Sequence, residues 1–363
     1  MTYWMVNGSV LAVLVVLCAC TPYVVRKNDV FGDFFPDSAS QLKKVRAMRL
    51  HYFVLCLFTG ILCAGFWCMT VFFRLINGEL AFPIFIVDYL LLQAAIYLYY
   101  HRRAKRMKQN REFSYTVEHH VAVDLSPQPR LVSFWWFVPH VLLIVVTAVV
   151  TFWREPVLDE QIPIHWDYAG NAVYTQKGFF SLFQLIFLQI LMLLLFFGLL
   201  VLTSRSKKVI RSDNARESRR ASILFKKLWC FYLVAMGFAC LLWFSFLQFM
   251  ILGLCPFSWM APAIAIFMVL VGGGATVLIV YTGQGGSRLL RKGRETDRID
   301  PREDDRYWKL GCIYFNPDDP SLMVEKRFGV GWTMNMARPA AWMILAGILL
   351  AVAVSIVVAL ISE

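Results

Sequence analysis

His165 and Asp167 stand two residues apart in a segment that also holds Glu155, Asp159 and Glu160. On an extended strand that spacing puts both side chains on one side. An imidazole beside carboxylates is the raw material of a metal site or of a general acid–base pair. A metal centre wants three or four ligands, and here the extra ones come only from the local acids. Two other readings stay open. His165 can bond the backbone of its own turn while Trp166 anchors the segment at a membrane interface, or the segment can contact a peptide or another ligand. The sequence contains no HExxH, no GxSxG and no GxxxxGK[ST]. Gly283-Gln284-Gly285-Gly286-Ser287 follows an apolar run rather than a strand and lacks a phosphate-directed lysine, so it is expected to be a flexible exit from that run.

A second set of chemically capable residues lies inside apolar runs. Asp88, Gln93, His140, Gln189 and Gln248 are costly in hydrocarbon and mark internal contacts or pathways. Asp88 with His140 suggests a proton path. At 1.5 Å per residue, however, their expected depths differ by roughly 10 Å. Interhelical hydrogen bonding is the plainer role for the glutamines. Gly272-Gly273-Gly274 is expected to permit close helix packing rather than an unwound substrate site.

The elements that must carry these residues follow from composition. Of 363 residues, 59% are hydrophobic and only 17% charged, against about 25% charged in soluble chains. Mean hydropathy is +0.59. Eight stretches reach the length of about 20 apolar residues that a membrane-crossing helix needs. They run over 3–24, 52–73, 82–100, 134–153, 179–203, 228–254, 260–281 and 340–361. The expected fold is an all-α polytopic membrane protein of about eight transmembrane helices. A short lid between spans four and five and a small β-hairpin cap before span eight complete it. The first run lacks a positive leader, since Arg26 and Lys27 come after it, so it reads as a retained span.

The net charge of +12 is unevenly placed. The loops 25–51, 101–133, 204–227 and 282–339 carry six, seven, nine and eleven Lys+Arg, leaving only Arg74, Arg154 and Lys177 elsewhere. That 33:3 division puts the four basic loops in the cytoplasm and both termini outside. The basic clusters are expected to orient the chain and to meet anionic lipids at the cytoplasmic face. They lack the folded readout elements of a nucleic-acid binder, and no nucleic acid is expected. The nine cysteines lie mostly in or at the ends of spans, without partners for zinc or an outer disulfide.

The segment 154–178 reads Ile162-Pro163-Ile164-His165-Trp166, then a turn at Ala169-Gly170-Asn171, then Val173-Tyr174 and Lys177. It is expected to form a compact hairpin or lid on the ends of spans four and five. With its flanking spans, over roughly 134–203, it resembles an uncharacterised membrane domain of the bacterial SdpI-like immunity family. Leu158, Ile162, Pro163, His165, Trp166, Gly170 and Lys177 carry the likeness. Asp167 departs from it, standing where that family usually has Asn, as does the Pro156-Val157-Leu158 start. The segment from about Asp304 to Pro339 resembles a short domain that often accompanies the first. It includes Trp308, Asn316-Pro317-Asp318-Asp319-Pro320, Gly331 and Trp332. There Trp308–Phe315 is expected as one strand, 316–320 as a turn, Ser321–Phe328 as a returning strand, and Pro339 as the opening of the last helix.

The expected organisation is therefore three N-terminal spans (1–133), the lid domain (134–203), two spans (204–281), the cap (282–339) and a last span (340–363). The resemblance implies a plasma-membrane binding or sensing protein of a bacterium, meeting a secreted peptide at its outer face. It implies neither a cofactor nor catalysis. A secondary transporter using the intramembrane polar residues and a metal-assisted membrane enzyme are the alternatives.

Overall fold

In the computed structural model, the described residues are 2–35, 42–73, 75, 78–110, 133–166, 171–205, 215–289, 305–329, 331–347 and 349. The helices are α1 (Thr2–Val24), α2 (Lys43–Phe72), α3 (Gly78–Gln109), α4 (Val138–Arg154), α5 (Phe179–Arg205), α6 (Ala215–Ile251), α7 (Met260–Met268) and α8 (Gly274–Thr282). A π turn, Val269–Gly273, joins α7 to α8 into one rod. Counting that rod once, seven helices among the described residues are long and apolar enough to cross a membrane. The chain is a multi-pass α-helical membrane protein. The eighth predicted span starts as a helix at Pro339 and is followed to Gly347; residues 350–361 lie outside the described residues.

Several helices outrun their predicted bounds. α2 begins nine residues before Tyr52, α3 ends nine after Tyr100, and α6 begins at Ala215 rather than at Leu228. Hydropathy marks only the part that must be apolar. Lys, Arg, Glu and Ala are good helix formers, so the backbone continues through the basic flanks.

The helices pack as two groups. In the first, α1, α2 and α3 meet around Leu11, Val15 and Tyr89, and around Tyr52, Cys56 and Ile96. In the second, α4, α5 and α6 meet around Ile144, Leu182, Phe183, Ile186 and Leu241. The α7–α8 rod lies against α1 and α6. At the triple glycine the rod stays helical and takes a π turn. That turn frees backbone carbonyls, and the Tyr232 hydroxyl donates to one of them, on Val271. Close packing is also present: a Cβ at Gly274 would lie 3.1 Å from the Tyr232 ring.

Four two-stranded antiparallel sheets complete the described part. β1 (Asp29–Val30) pairs with β2 (Asp33–Phe34), and β3 (Gln161–Trp166) with β4 (Ala172–Gln176). β5 (Trp308–Lys309) pairs with β6 (Ile313–Tyr314), and β7 (Met323–Glu325) with β8 (Trp332–Met334). The predicted single hairpin of the cap is thus corrected to two. Leu310 and Gly311 take φ of 53° and 70° and fold Trp308–Phe315 back on itself. Met323–Glu325 then finds its partner downstream, and one parallel bridge, Tyr314 to Asn335, links the two hairpins.

Candidate functional site

The β3–β4 hairpin sits at the end of the bundle away from the basic loops. Ile162 is 1% exposed and plugs into the α4–α5–α6 core beside Leu182 and Ile251. Trp166 stacks on Phe257 at the start of the α7 rod, with centroids 6.0 Å apart. Lys177 closes the base: its N–H donates to the Glu160 carbonyl at 2.7 Å, and its ammonium donates to the carbonyls of Leu158 (3.1 Å) and Glu155 (3.3 Å). Pro163 pairs with Tyr174 and His165 with Val173, and the register slips between Pro163 and His165. That irregularity breaks simple strand alternation at the histidine. The side chain of His165, and residues Asp167 and Gly170, lie outside the described residues. Tyr174 is 59% exposed on the free strand, with Val173 beside it.

Beneath the hairpin the buried glutamines form a polar ladder between α4, α5 and α6. Gln248 donates its amide to the Leu182 carbonyl (2.8 Å) and to the Thr151 hydroxyl (3.2 Å). Gln189 donates to the Leu241 carbonyl (3.1 Å) and to the Ser245 hydroxyl (2.8 Å), and Ser245 lies 2.9 Å from the Thr147 hydroxyl. His140 pairs Nε2 with the Val234 carbonyl at 3.0 Å. A carbonyl only accepts, so that nitrogen carries the proton. The amide oxygens of Gln189 and Gln248 are buried without a partner among the described residues.

Asp88 and Gln93 belong elsewhere. Gln93 donates to the Thr59 hydroxyl at 3.0 Å, tying α3 to α2. Asp88, on the same α3, is exposed on the bundle surface. The structure therefore does not bring Asp88 and Gln93 together with His140 and Gln189. The first pair lies in the α1–α3 group and the second in the α4–α6 group. Hydropathy reports depth but not which helices become neighbours.

The basic end holds a folded assembly that the sequence did not announce. Asp305 accepts from Arg327 and from Lys108, each at 2.5 Å. Lys108 also donates to the Phe34 carbonyl (2.9 Å) and Arg327 to the Gly32 carbonyl (3.3 Å). His101 Nδ1 lies 2.9 Å from the Phe31 carbonyl and 3.3 Å from the Asp33 carboxylate. Phe328 packs among Phe31, Tyr52 and Tyr97. The glycine segment after α8 is likewise corrected. It is a packed turn, not a loose exit, with Gln284 accepting from the Arg26 N–H (3.0 Å) and donating to the Lys326 carbonyl. Its glycines are needed because φ is positive at Gly283, Gly285 and Gly286. Arg26 pairs with Glu325 alongside.

The cap's own turn is held from within. Asn316 Oδ1 accepts from the Asp318 N–H, and Asp319 accepts from the Ser321 N–H and hydroxyl and from the Tyr314 hydroxyl. Asn335 and Arg338 donate to the carbonyls of residues 316, 317 and 319. The cation of Arg327 lies 5.2 Å from the centre of the Trp308 ring. Gly331 takes φ of 108° just before β8, and Trp332 packs on Phe225 and Trp229 of α6. In Asn316, Asp318 and Asp319 the turn signature was legible. Their partners Tyr314, Asn335 and Arg338 were not.

Burial pushes the Asp33 carboxyl up to about 6; the Asp305 carboxylate adds to the rise, while His101, Lys108 and Arg327 oppose it. Burial also pushes Asp305 up, but Arg327 and Lys108 more than offset this, and it falls below the usual carboxylate range. A raised folded-state value means that Asp33 contributes stability in acid and loses it as pH rises through about 6. Asp305 acts oppositely, losing its contribution only as pH falls through its depressed value. The thermal midpoint of the full-length protein should therefore drop between pH 4.5 and pH 7. Asp33→Asn should flatten that slope, by at most about 2–3 kcal/mol of stability. An unchanged slope in Asp33→Asn would assign the titration to another group.

A multi-pass helical protein with a hairpin docked at one end of its bundle and a folded cap at the other is the class these features define. Residues 142–190, covering most of α4, the hairpin and the first half of α5, match a domain of unknown function, DUF1648. Residues 317–342, from the cap turn into the start of the last helix, match a family of unknown function, DUF5808. No curated protein and no solved structure matches the chain.

Proposed function

We propose that this protein is a binding or sensing component of a bacterial plasma membrane, of SdpI-like type. Its hairpin would face outside to meet a secreted peptide, and its cap would lie inside. Both termini then face outside, as the 33:3 distribution of Lys and Arg implies. The reading assigns the chain no catalytic step. The observation that carries it is the anchored hairpin. Ile162, Trp166 and Lys177 hold β3 and its base to the bundle, while β4 leaves Tyr174 and Val173 uncovered. A fixed strand with an exposed tyrosine offers a large contact area at low entropic cost.

The test is sensitivity of a deletion strain to a panel of secreted antimicrobial peptides. Wild type should restore resistance at least about tenfold, or about 1.4 kcal/mol in an equilibrium. His165→Ala and Tyr174→Ala, expressed at equal level, should not. Sensitivity unchanged by the deletion across the panel would sink the reading.

Transport is the second reading, favoured by the polar ladder of His140, Thr147, Ser245, Gln189, Thr151 and Gln248 between three helices. It draws on Gln189 and His140 and not on Asp88. Solute or proton flux in proteoliposomes that falls in Gln189→Leu would support it.

A further inference from the structure

At the basic end, one face of α6 carries Arg219, Ser222, Lys226 and Trp229, spaced three, four and three apart, so that they form one stripe. Ser222 is 3% exposed and Lys226 is fully buried. The cap closes over the edge of this stripe. The Trp332 ring lies 5.5 Å from Phe225 and 6.1 Å from Trp229. The packed glycine turn bounds it too, since a Cβ at Gly286 would lie 3.1 Å from both the Ala221 carbonyl and Phe225.

Three polar atoms at this seam are buried without a hydrogen-bond partner among the described residues: Ser222 Oγ, Trp229 Nε1 and Trp332 Nε1. An indole N–H only donates. Ser222 differs from five other buried hydroxyls of the helices. Thr59, Thr147, Thr151, Ser245 and Thr282 each return the O–H to the carbonyl four residues back. Ser222 makes no such bond. A buried donor left unmet is unfavourable, and a bound acceptor removes that penalty. Charge favours the same kind of guest. Arg219 and Lys226 lie on the stripe, and Arg220 and Lys227 beside it. Helical side chains lean toward the N-terminus, which carries Lys226 and Trp229 back toward the level of Ser222. Among the described residues, the Glu325 carboxylate is near. Glu325 is the cross-strand partner of Trp332 and is engaged by Arg26. It disfavours a dianion more than a monoanion. The height fits a headgroup, because the apolar part of α6 begins within this stretch.

We propose that the seam between α6 and the cap binds a phosphate-bearing anion, with Ser222, Trp229 and Trp332 donating and Arg219 and Lys226 supplying charge. The phosphate comes either from an anionic phosphodiester lipid or from free phosphate. Full-length, delipidated protein in neutral detergent is titrated with short-chain phosphatidylglycerol, with short-chain phosphatidylcholine and with inorganic phosphate. Native mass spectrometry counts adducts, and the thermal midpoint is followed in parallel. Phosphatidylglycerol should bind at least tenfold tighter than phosphatidylcholine and raise the midpoint. Ser222→Ala, which suits a helix, and Trp332→Phe, which keeps the ring packing, should together remove that preference. Saturation by inorganic phosphate at comparable concentration assigns the site to the free anion; phosphatidylglycerol alone assigns it to the lipid. Equal binding of both lipids with no effect of phosphate overturns the proposal, as does a preference that survives in the folded double variant.

Discussion

Asp305→Ala should undock the cap, at a cost of about 3 kcal/mol or more. Asp305 is the one carboxylate that Lys108 and Arg327 share, each at 2.5 Å. Arg327 is 4% exposed, and its Nη1 also donates to the Gly32 carbonyl. Lys108 keeps the Phe34 carbonyl. Removing one partner of a buried ion pair typically costs about 3–5 kcal/mol, because the other charge stays buried uncompensated; the partial exposure of Asp305 and Lys108 draws the expectation to the lower end. Replacing the whole set apolarly is far milder. Asp305→Ala with Lys108→Met and Arg327→Met should therefore recover most of the loss. Hydrogen exchange over 305–335 in the full-length protein reads this directly. Protection should fall at least a hundredfold in Asp305→Ala and return in the triple variant. Equal loss in both would mean that the cap is held by packing rather than by charge.

Gly32→Ala should be as damaging, for a steric reason. Phe31 and Gly32 form the two-residue turn between β1 and β2 with φ of 50° and 87°. Such a turn needs left-handed backbone at both positions. The facing turn, Leu310–Gly311, is left-handed as well. A Cβ on Gly32 would stand 2.5 Å from the Gly311 carbonyl oxygen and 2.7 Å from its Cα. Backbone cannot swing aside as a flexible side chain can. Strain of about 1–3 kcal/mol adds to the clash, so the turns should separate and take with them the contacts of Tyr97 and His101 to the Phe31 carbonyl. The thermal midpoint should fall by several degrees. Gly198→Ala in α5 is the control. No neighbour lies within 4 Å of its Cβ, so it should be neutral or slightly stabilising. A Gly32→Ala protein as stable as this control would show that the two turns do not meet as described.

The assembly at the basic end shows where local reading stops. Asp33 and Asp305 sit in loops whose Lys and Arg outnumber their acids, and in sequence they look like solvated exceptions. Docking puts Asp33 against His101 and Asp305 against Lys108 and Arg327. These contacts join residues 22 to 197 positions apart, and no periodicity or motif within one segment encodes them. The same limit explains Asp88. Its depth in span three was readable, but whether that face of α3 meets a helix or stays exposed is a matter of packing. The cap erred for a smaller reason. Alternating apolar residues over 308–315 look continuous, and only the left-handed Leu310–Gly311 pair breaks them into a hairpin.

The sequence by itself determined the membrane-crossing architecture, the position of the hairpin at 161–176 and the uneven sharing of charge between its loops. Hydrocarbon forces each crossing to be long, apolar and helical, and these demands act on contiguous residues. Tertiary structure alone decided which buried polar groups became partners. It split the intramembrane set between two helix groups, drew Gln189 and Gln248 into one ladder, and gathered acids and bases from three loops beneath the cap. Such pairings depend on the rotation and crossing of whole helices, set by side-chain packing summed across the chain and not by any single segment.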